Sequence, residues 1–345
     1  MEFTKRFFAF CTAFIPNKET RRRFRLNHYK IKHVTMQNVN NAIPREVLEK
    51  INNTTNEEFY TLNNGGGGQH YGFFDFDPNA KDENSPLNPW GFIRVKNEAK
   101  TLRGSLESIL PAIQRGVIGY NDCTDGSEEI ILDFCKKHPS FIPAKYPHNV
   151  QITNPQKLEN TLYNYYNLVL SFVPKNQFFI KINVDHFYDA KELYKQFYLL
   201  NPKNAAYEML AISRINFHIK NDLAYIIKGD NINTLEGFLH HGYDHLLLLN
   251  NGVHFEEFNP CGDKSQVYEK YINEHKINKI VGTLCNYHFL FVKESRAHLA
   301  DNLNLDMLTP ESLTKNSNLI GTKIPNGFLS TEAILKAYKF ITKTD

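Results

Sequence analysis

The 345-residue chain sets 40 Lys and Arg against 37 Asp and Glu, and its 41% hydrophobic content with 18 Tyr and 26 Phe suits a large packed core rather than a disordered or fibrous chain. Its five cysteines (Cys11, Cys123, Cys135, Cys261, Cys285) are odd in number and form no C-x-x-C pair, which argues against a disulfide framework and a zinc cage and favours a reducing compartment. The net charge of +3 conceals an asymmetry: residues 1–33 hold nine Lys or Arg against Glu2 and Glu19, a net +7, so the remainder carries −4.

Phe7–Pro16 (FFAFCTAFIP) is an apolar run between basic clusters, too short to span a bilayer. RRRFR follows it and no small-residue cleavage site does, so it makes a poor secretory signal. Residues 1–33 read best as a membrane-surface segment in which aromatics enter the interface and Arg and Lys meet anionic headgroups. An ordinary helix packed on the main domain is the plainer reading. A nucleic-acid arm is disfavoured because stacking aromatics are not interleaved through the basic run. Residues 34–85 read as linker and short helices, with one or two helices in Pro44–Leu62. Gly65–Gly68 is a glycine run without a following Gly-Lys-Ser/Thr, so it reads as linker rather than phosphate loop.

From Pro86 the texture changes, and the main domain is expected over 86–300. Trp90–Val95 reads as a strand, Ala99–Arg115 as a helix, Gly116–Asn121 as a strand, Glu128–Lys137 as a helix, Phe141–Tyr146 as a strand and Leu158–Phe172 as a helix. Strand–helix–strand alternation of this kind predicts an α/β fold, a mostly parallel sheet with helices on both faces. Gln177–Asp189 (QFFIKINVDHFYD) alternates with period 2 and is apolar enough to lie inside that sheet. Further strands are expected over Ala211–Ile219, Leu223–Lys228 and Ile280–Val292, a helix over Asp263–His275, and a helical extension over 301–345.

The candidate chemistry sits where the strands end. Asp185 and His186 close the central run and offer oxygen and nitrogen donors that suit Mn²⁺ or Mg²⁺ carrying a diphosphate. Asp185 could equally cap the helix that follows, and the short motif alone leaves both readings open. Arg94, Asn97 and Glu98 end the first strand, and Asp122 and Asp125 (in DCTDGS) end the second. In a parallel sheet these turns line one crevice, where Asp122 could accept from a uracil N–H. As an isolated turn, DCTDGS is only a loop and N-cap.

FIRVKNEAKTLRGSLESILPAIQRGVIGYNDCTDGSEEIILDFC followed by KINVDHFYDAKELY resembles the GT-A glycosyltransferases, and among them the bacterial β-1,4-N-acetylgalactosaminyltransferases that build ganglioside-like lipooligosaccharide. The resemblance is dense over about 85–189 and patchy beyond, at SRINF, GYDHLLL and NYHFLF. It implies a GT-A-type Rossmann-like sheet, and it lays the family's Asp-x-Asp motif on Asn183-Val184-Asp185, with Asp185 the metal-binding acid and Asn183 in place of the first acid. It implies His288 as a second metal ligand, Asp244 as catalytic base and Arg94 or Arg214 as contacts to diphosphate or acceptor. A lone His on an apolar strand is otherwise a core residue, Asp244 a loop or cap residue with His245 as competitor, and Arg214 a structural ion pair. It further implies inverting transfer from UDP-GalNAc, Mn²⁺ (or Mg²⁺), a sialylated lipooligosaccharide acceptor and a cytoplasmic location at the inner membrane. Donor alternatives are UDP-GlcNAc or another UDP-hexose. Nucleotidyl transfer wants a Gly-rich basic loop that KNEAKTL does not supply, and a membrane-associated scaffold would bind neither UDP nor Mn²⁺.

Overall fold

A computed structural model of the chain describes residues 31–65, 68–200, 208–229, 234–241, 245–259, 267–271, 278–300 and 306–344. The apolar Phe7–Pro16 run and Asp244 lie outside the described residues. In chain order, β1 (Ile31–His33), α1 (Met36–Ala42), α2 (Arg45–Asn53) and α3 (Asn56–Asn64) come first. Then follow β2 (Trp90–Val95), α4 (Ala99–Ile109), β3 (Arg115–Tyr120), α5 (Ser127–Lys137), β4 (Phe141–Lys145), α6 (Leu162–Leu170), β5 (Phe178–Ile182), β6 (His186–Tyr188) and α7 (Ala190–Phe197). The next elements are β7 (Met209–Lys220), β8 (Leu223–Ile227), β9 (Thr234–Leu235), β10 (Leu239–His240), β11 (Leu246–Leu249), β12 (Phe255–Phe258), β13 (Tyr268–Tyr271) and β14 (Lys279–Phe289). The described chain closes with α8 (Glu294–Ala297), β15 (Met307–Leu308), α9 (Pro310–Asn316) and α10 (Thr331–Thr342).

Alternation along the strands explains the layers. Phe92, Val117 and Phe179 face one cluster with Tyr165, Tyr166 and Val169 of α6. Their neighbours Ile93, Ile118 and Ile180 face the other, with Leu102 and Leu106 of α4, Phe134 of α5 and Leu193 and Phe197 of α7. Both faces of the central strands are therefore buried, which is why these strands read as nearly continuous apolar runs. The long path through the sheet runs β1-β14-β7-β11-β5-β2-β3-β4. Only β11 is antiparallel to its neighbours on that path, while β6, β8, β10 and β15 add antiparallel pairs to it. The fold is thus mixed α/β around a large, mostly parallel sheet, and no helix among the described residues is long and apolar enough to cross a membrane.

Several expected boundaries change. The helix from Ala99 stops at Ile109 because Pro111 cannot donate a backbone hydrogen bond to continue it. Leu158–Phe172 divides at Thr161 into a 3₁₀ turn and α6. The helix expected over Asp263–His275 is corrected at β13, a strand paired with β12 through Phe255↔Tyr271 and Phe258↔Tyr268. Aromatic residues packing across a hairpin outweigh the local helical spacing there. Residues 34–85, read as linker and short helices, hold helices at Arg45–Asn53 and Asn56–Asn64 and bury Val39, Ile51, Phe59 and Phe73 in the same cluster as Ile93 and Ile180. The long strand Gln177–Asp189 breaks in two after Ile182, and that break makes the site.

Candidate active site

Strand β5 is hydrogen-bonded in parallel to β2, and β2 to β3, so the turns after Ile182, Val95 and Tyr120 open on one edge of the sheet. After Ile182 the chain turns through Asn183, Val184 and Asp185, and β6 then pairs antiparallel with β14. The fully buried Tyr188 fixes that turn: its hydroxyl accepts from Asn183 N (3.1 Å) and reaches Asn183 O at 3.2 Å and His245 Nδ1 at 3.3 Å.

The register of β14 does the rest. His288 lies directly opposite His186 across one side of β14 and opposite Asn216 of β7 across the other. Register shifts against β7 between Val281 and Asn286 re-aim the last residues of the strand. The two imidazoles stack with centroids 4.1 Å apart and planes 3° from parallel. His288 Nδ1 donates to Asn216 Oδ1 (2.8 Å) and His186 Nδ1 to Asn286 Oδ1 (2.7 Å). Both Nε2 atoms then face Asp185, at 3.3 Å from Oδ2 for His288 and 3.4 Å from Oδ1 for His186.

Burial, and for His186 the neighbouring His288 and His245, push both imidazoles below their ordinary pKa, so they are neutral. Burial also opposes the charge of Asp185, but its charged surroundings, Lys293 foremost, outweigh it and hold the carboxyl well below the usual range. A neutral imidazole that donates from Nδ1 presents only a lone pair at Nε2. Two such lone pairs and a carboxylate, with ligand atoms within 4.8 Å of one another, form an arrangement that a divalent cation resolves. Asp185 Oδ1 is moreover buried without a hydrogen-bond partner among the described residues. The residues present therefore fit a metal ion.

Cations also converge on Asp185. Arg296 bonds its Oδ2, and Lys293 stands 3.6 Å from the same oxygen while pairing with Glu98. Burial, only partly opposed by Lys293, raises the Glu98 carboxyl to about 7. Arg214, whose charge reaches both histidines, has Nε and Nη1 buried without a hydrogen-bond partner among the described residues.

Of the residues expected from sequence, Asp185, His288, Glu98 and Arg214 converge. Arg94 is within electrostatic reach of Glu98, but its Nε donates to Tyr166 OH (3.2 Å) on the α6 side. There burial opposes its charge, and Tyr166, Tyr165 and Glu269 more than offset that. Asn97 and Asp125 tie the first two turns together. Asn97 Oδ1 accepts from Thr124 N (2.8 Å), and the carboxylate of Asp125 accepts from Ala99 N (2.8 Å) and Ser127 N (3.0 Å). Asp122 stands 3.4 Å from Lys96 at the mouth of the crevice, and both it and Asn97 adopt positive φ, 43° and 52°. Such conformations cost energy in non-glycine residues and cluster where a turn is shaped for a task.

Asn183 is half-buried at the turn. Sequence reading offered Asp185 and His186 as metal donors, and the family resemblance added His288; it did not place Lys293 or Arg296 beside them. The i, i+2 spacing of Asn286 and His288 on one strand face was the available signal.

Over residues 1–342 the sequence matches the family described as beta-1,4-N-acetylgalactosaminyltransferase (CgtA). The chain belongs to this family. It is accordingly a glycosyltransferase, which implies a nucleotide-sugar donor and a glycan acceptor, and the Asp185–His186–His288 cluster of this CgtA-family chain is consistent with a divalent metal. A search of curated proteins found no match.

Proposed function

We propose that the chain is an inverting, metal-dependent GT-A transferase that moves GalNAc from UDP-GalNAc in β-1,4 linkage onto galactose of a sialylated lipooligosaccharide outer core. The observation that carries this reading is the convergence of Asp185, His186 and His288 at the carboxyl end of β5 in a CgtA-family chain. Open α/β sheets take their ligands at that edge. A divalent ion held by these three residues supplies Lewis-acid charge for the departing diphosphate. Two imidazoles in the donor set favour Mn²⁺ over Mg²⁺.

Around that centre, Asp122 accepts from the uracil and Asn183 replaces the usual acid as a hydrogen-bonding contact to the ribose. Asn97 and Asp125 hold the two donor turns in register, and Glu98 with Arg94 balances charge behind them. Arg214 meets the diphosphate or the acceptor, and Asp244 removes the proton of the attacking hydroxyl. Product analysis with UDP-GalNAc, UDP-GlcNAc and UDP-galactose on a sialyllactose acceptor tests the reading. GalNAc transfer that stops with EDTA and returns with Mn²⁺ is the expected result. Transfer from another donor alone would make the chain a related UDP-sugar transferase of surface glycan synthesis. Transfer indifferent to chelation would remove the metal, and absence of both transfer and UDP binding would leave a scaffold.

The basic, aromatic residues 1–33 place the active site at the inner-membrane surface, where a lipid-linked acceptor is assembled. Deleting residues 1–26 should release the protein from anionic vesicles while sparing turnover of a soluble acceptor. Unchanged vesicle binding would remove that role.

A further inference from the structure

Asp185 Oδ2 is approached by three groups at once: His288 Nε2 at 3.3 Å, Lys293 Nζ at 3.6 Å, and Arg296. The two cations differ in how they are held. Lys293 is anchored by the buried carboxylate of Glu98. Arg296 has Asp185 as its ion-pair partner among the described residues and sits on α8, a four-residue helix that starts five residues after β14 ends and buries none of its side chains.

We infer that Arg296 is a diphosphate-binding residue held in reserve on Asp185, one that gives up the carboxylate to a divalent cation and takes an oxygen of the nucleotide diphosphate instead. The inference rests on the nucleotide-sugar reading of the same site. A guanidinium and a metal ion cannot share one buried carboxylate oxygen without strong repulsion. Charge balance then specifies the ligand. Among the described residues Lys293, Arg296 and Arg214 already match or exceed the charge of Asp185 and Glu98, so a divalent ion added here leaves at least two positive charges without a partner, which suits a nucleotide-sugar diphosphate. The planar fork of an arginine suits two phosphate oxygens, where a lysine offers a point charge. The loop that carries Arg296 leaves directly from the strand that carries His288, so the displaced side chain stays beside the metal centre.

Competition and ligand contact predict effects of opposite sign. Calorimetric titration of the full chain with Mn²⁺ alone, then with UDP at saturating Mn²⁺, measures both in wild type, Arg296→Gln and Arg296→Lys. Arg296→Gln should bind Mn²⁺ about tenfold more tightly and UDP at least about tenfold more weakly, the scale of one charge-assisted hydrogen bond. Arg296→Lys, which keeps the charge and loses the fork, should bind UDP with intermediate strength, and it carries the test should Arg296→Gln fail to fold. Weaker Mn²⁺ binding in Arg296→Gln would show an ordinary supporting contact, and unchanged UDP binding would remove the phosphate contact; either overturns the inference while the nucleotide-sugar reading stands. A wild type that binds Mn²⁺ but no UDP would overturn both.

Discussion

Replacing Tyr188 with Phe removes one oxygen from a fully buried side chain and leaves the ring in place. That oxygen accepts from Asn183 N at 3.1 Å and donates toward Asn183 O at 3.2 Å, two residues before Asp185. Without it the Asn183 N–H loses its partner, while Asn183 O keeps a 3.5 Å approach from Ser105 Oγ. An orphaned, largely buried donor costs about 1–3 kcal/mol. Spread over the unfolding entropy of a chain this long, that lowers Tm by only about 1–4 °C. The larger effect should fall on function, because the turn positions Asp185 against the two imidazoles. Groups that orient metal ligands contribute about 10–100-fold to affinity, so Tyr188→Phe should bind Mn²⁺ at least about tenfold more weakly and lose turnover at sub-saturating metal. Calorimetry gives the first quantity and product formation against Mn²⁺ concentration the second. A folded variant with Mn²⁺ affinity within about twofold of wild type would refute the claim that this hydroxyl sets the ligand geometry.

His186→Ala and His288→Ala should each weaken Mn²⁺ by more than about 100-fold, exceeding the loss for an orienting group, and a variant with intact affinity would identify an imidazole that is not a ligand. Asp244→Ala should lower turnover about 10²–10⁴-fold with UDP binding retained; near-normal turnover of the sialylated acceptor would show that another group is the base. Burial pushes His70 down to about 4 from 6.5. Its neutral form donates from Nε2 to Ile113 O (3.0 Å). The unfolded chain therefore binds the extra proton between those values, so this contribution to stability is complete above 6.5 and declines as pH falls toward 4, on the order of 3 kcal/mol in total. His70→Gln, which keeps a donor for Ile113, should flatten the fall of Tm between pH 6.5 and 4.5, and an unchanged slope would place that titration elsewhere.

The parallel half of the sheet was legible because its signals are local. Phe92/Ile93, Val117/Ile118 and Phe179/Ile180 each put one residue on each face, and the turns after them carry the Asp, Asn and Ser residues that end strands and start helices. The site was legible only to the extent that it lies on those turns. Gln177–Asp189 keeps its alternation through Asn183, so nothing local announces that β5 ends at Ile182 and that His186 begins a strand with a different partner. That partner is β14, a hundred residues on, and register between distant strands is not written in either segment alone. Lys293 and Arg296 carry no periodic signature, and they enter the site because α8 follows β14 closely.

What then holds the register of β14? A slip of one residue against β6 would bring Tyr287 to the place of His288 and turn the imidazole away from Asp185. Tyr287 itself opposes that slip. It is buried on the opposite face of the strand, packed edge-on to Phe217 and Phe328 with centroids 5.3 and 5.8 Å away, and its hydroxyl donates to Phe328 O at 2.7 Å. Moving it to the face of His288 and Asp185 would expose a large apolar ring to a polar centre and leave that carbonyl without its donor. A burial of this size is worth about 1.5–3 kcal/mol and the hydrogen bond about 1 kcal/mol more, ample to bias one register over the other. His288 is therefore kept beside Asp185 by the core residue next to it, and the C-terminal segment that supplies Phe328 takes part in the candidate site through Tyr287.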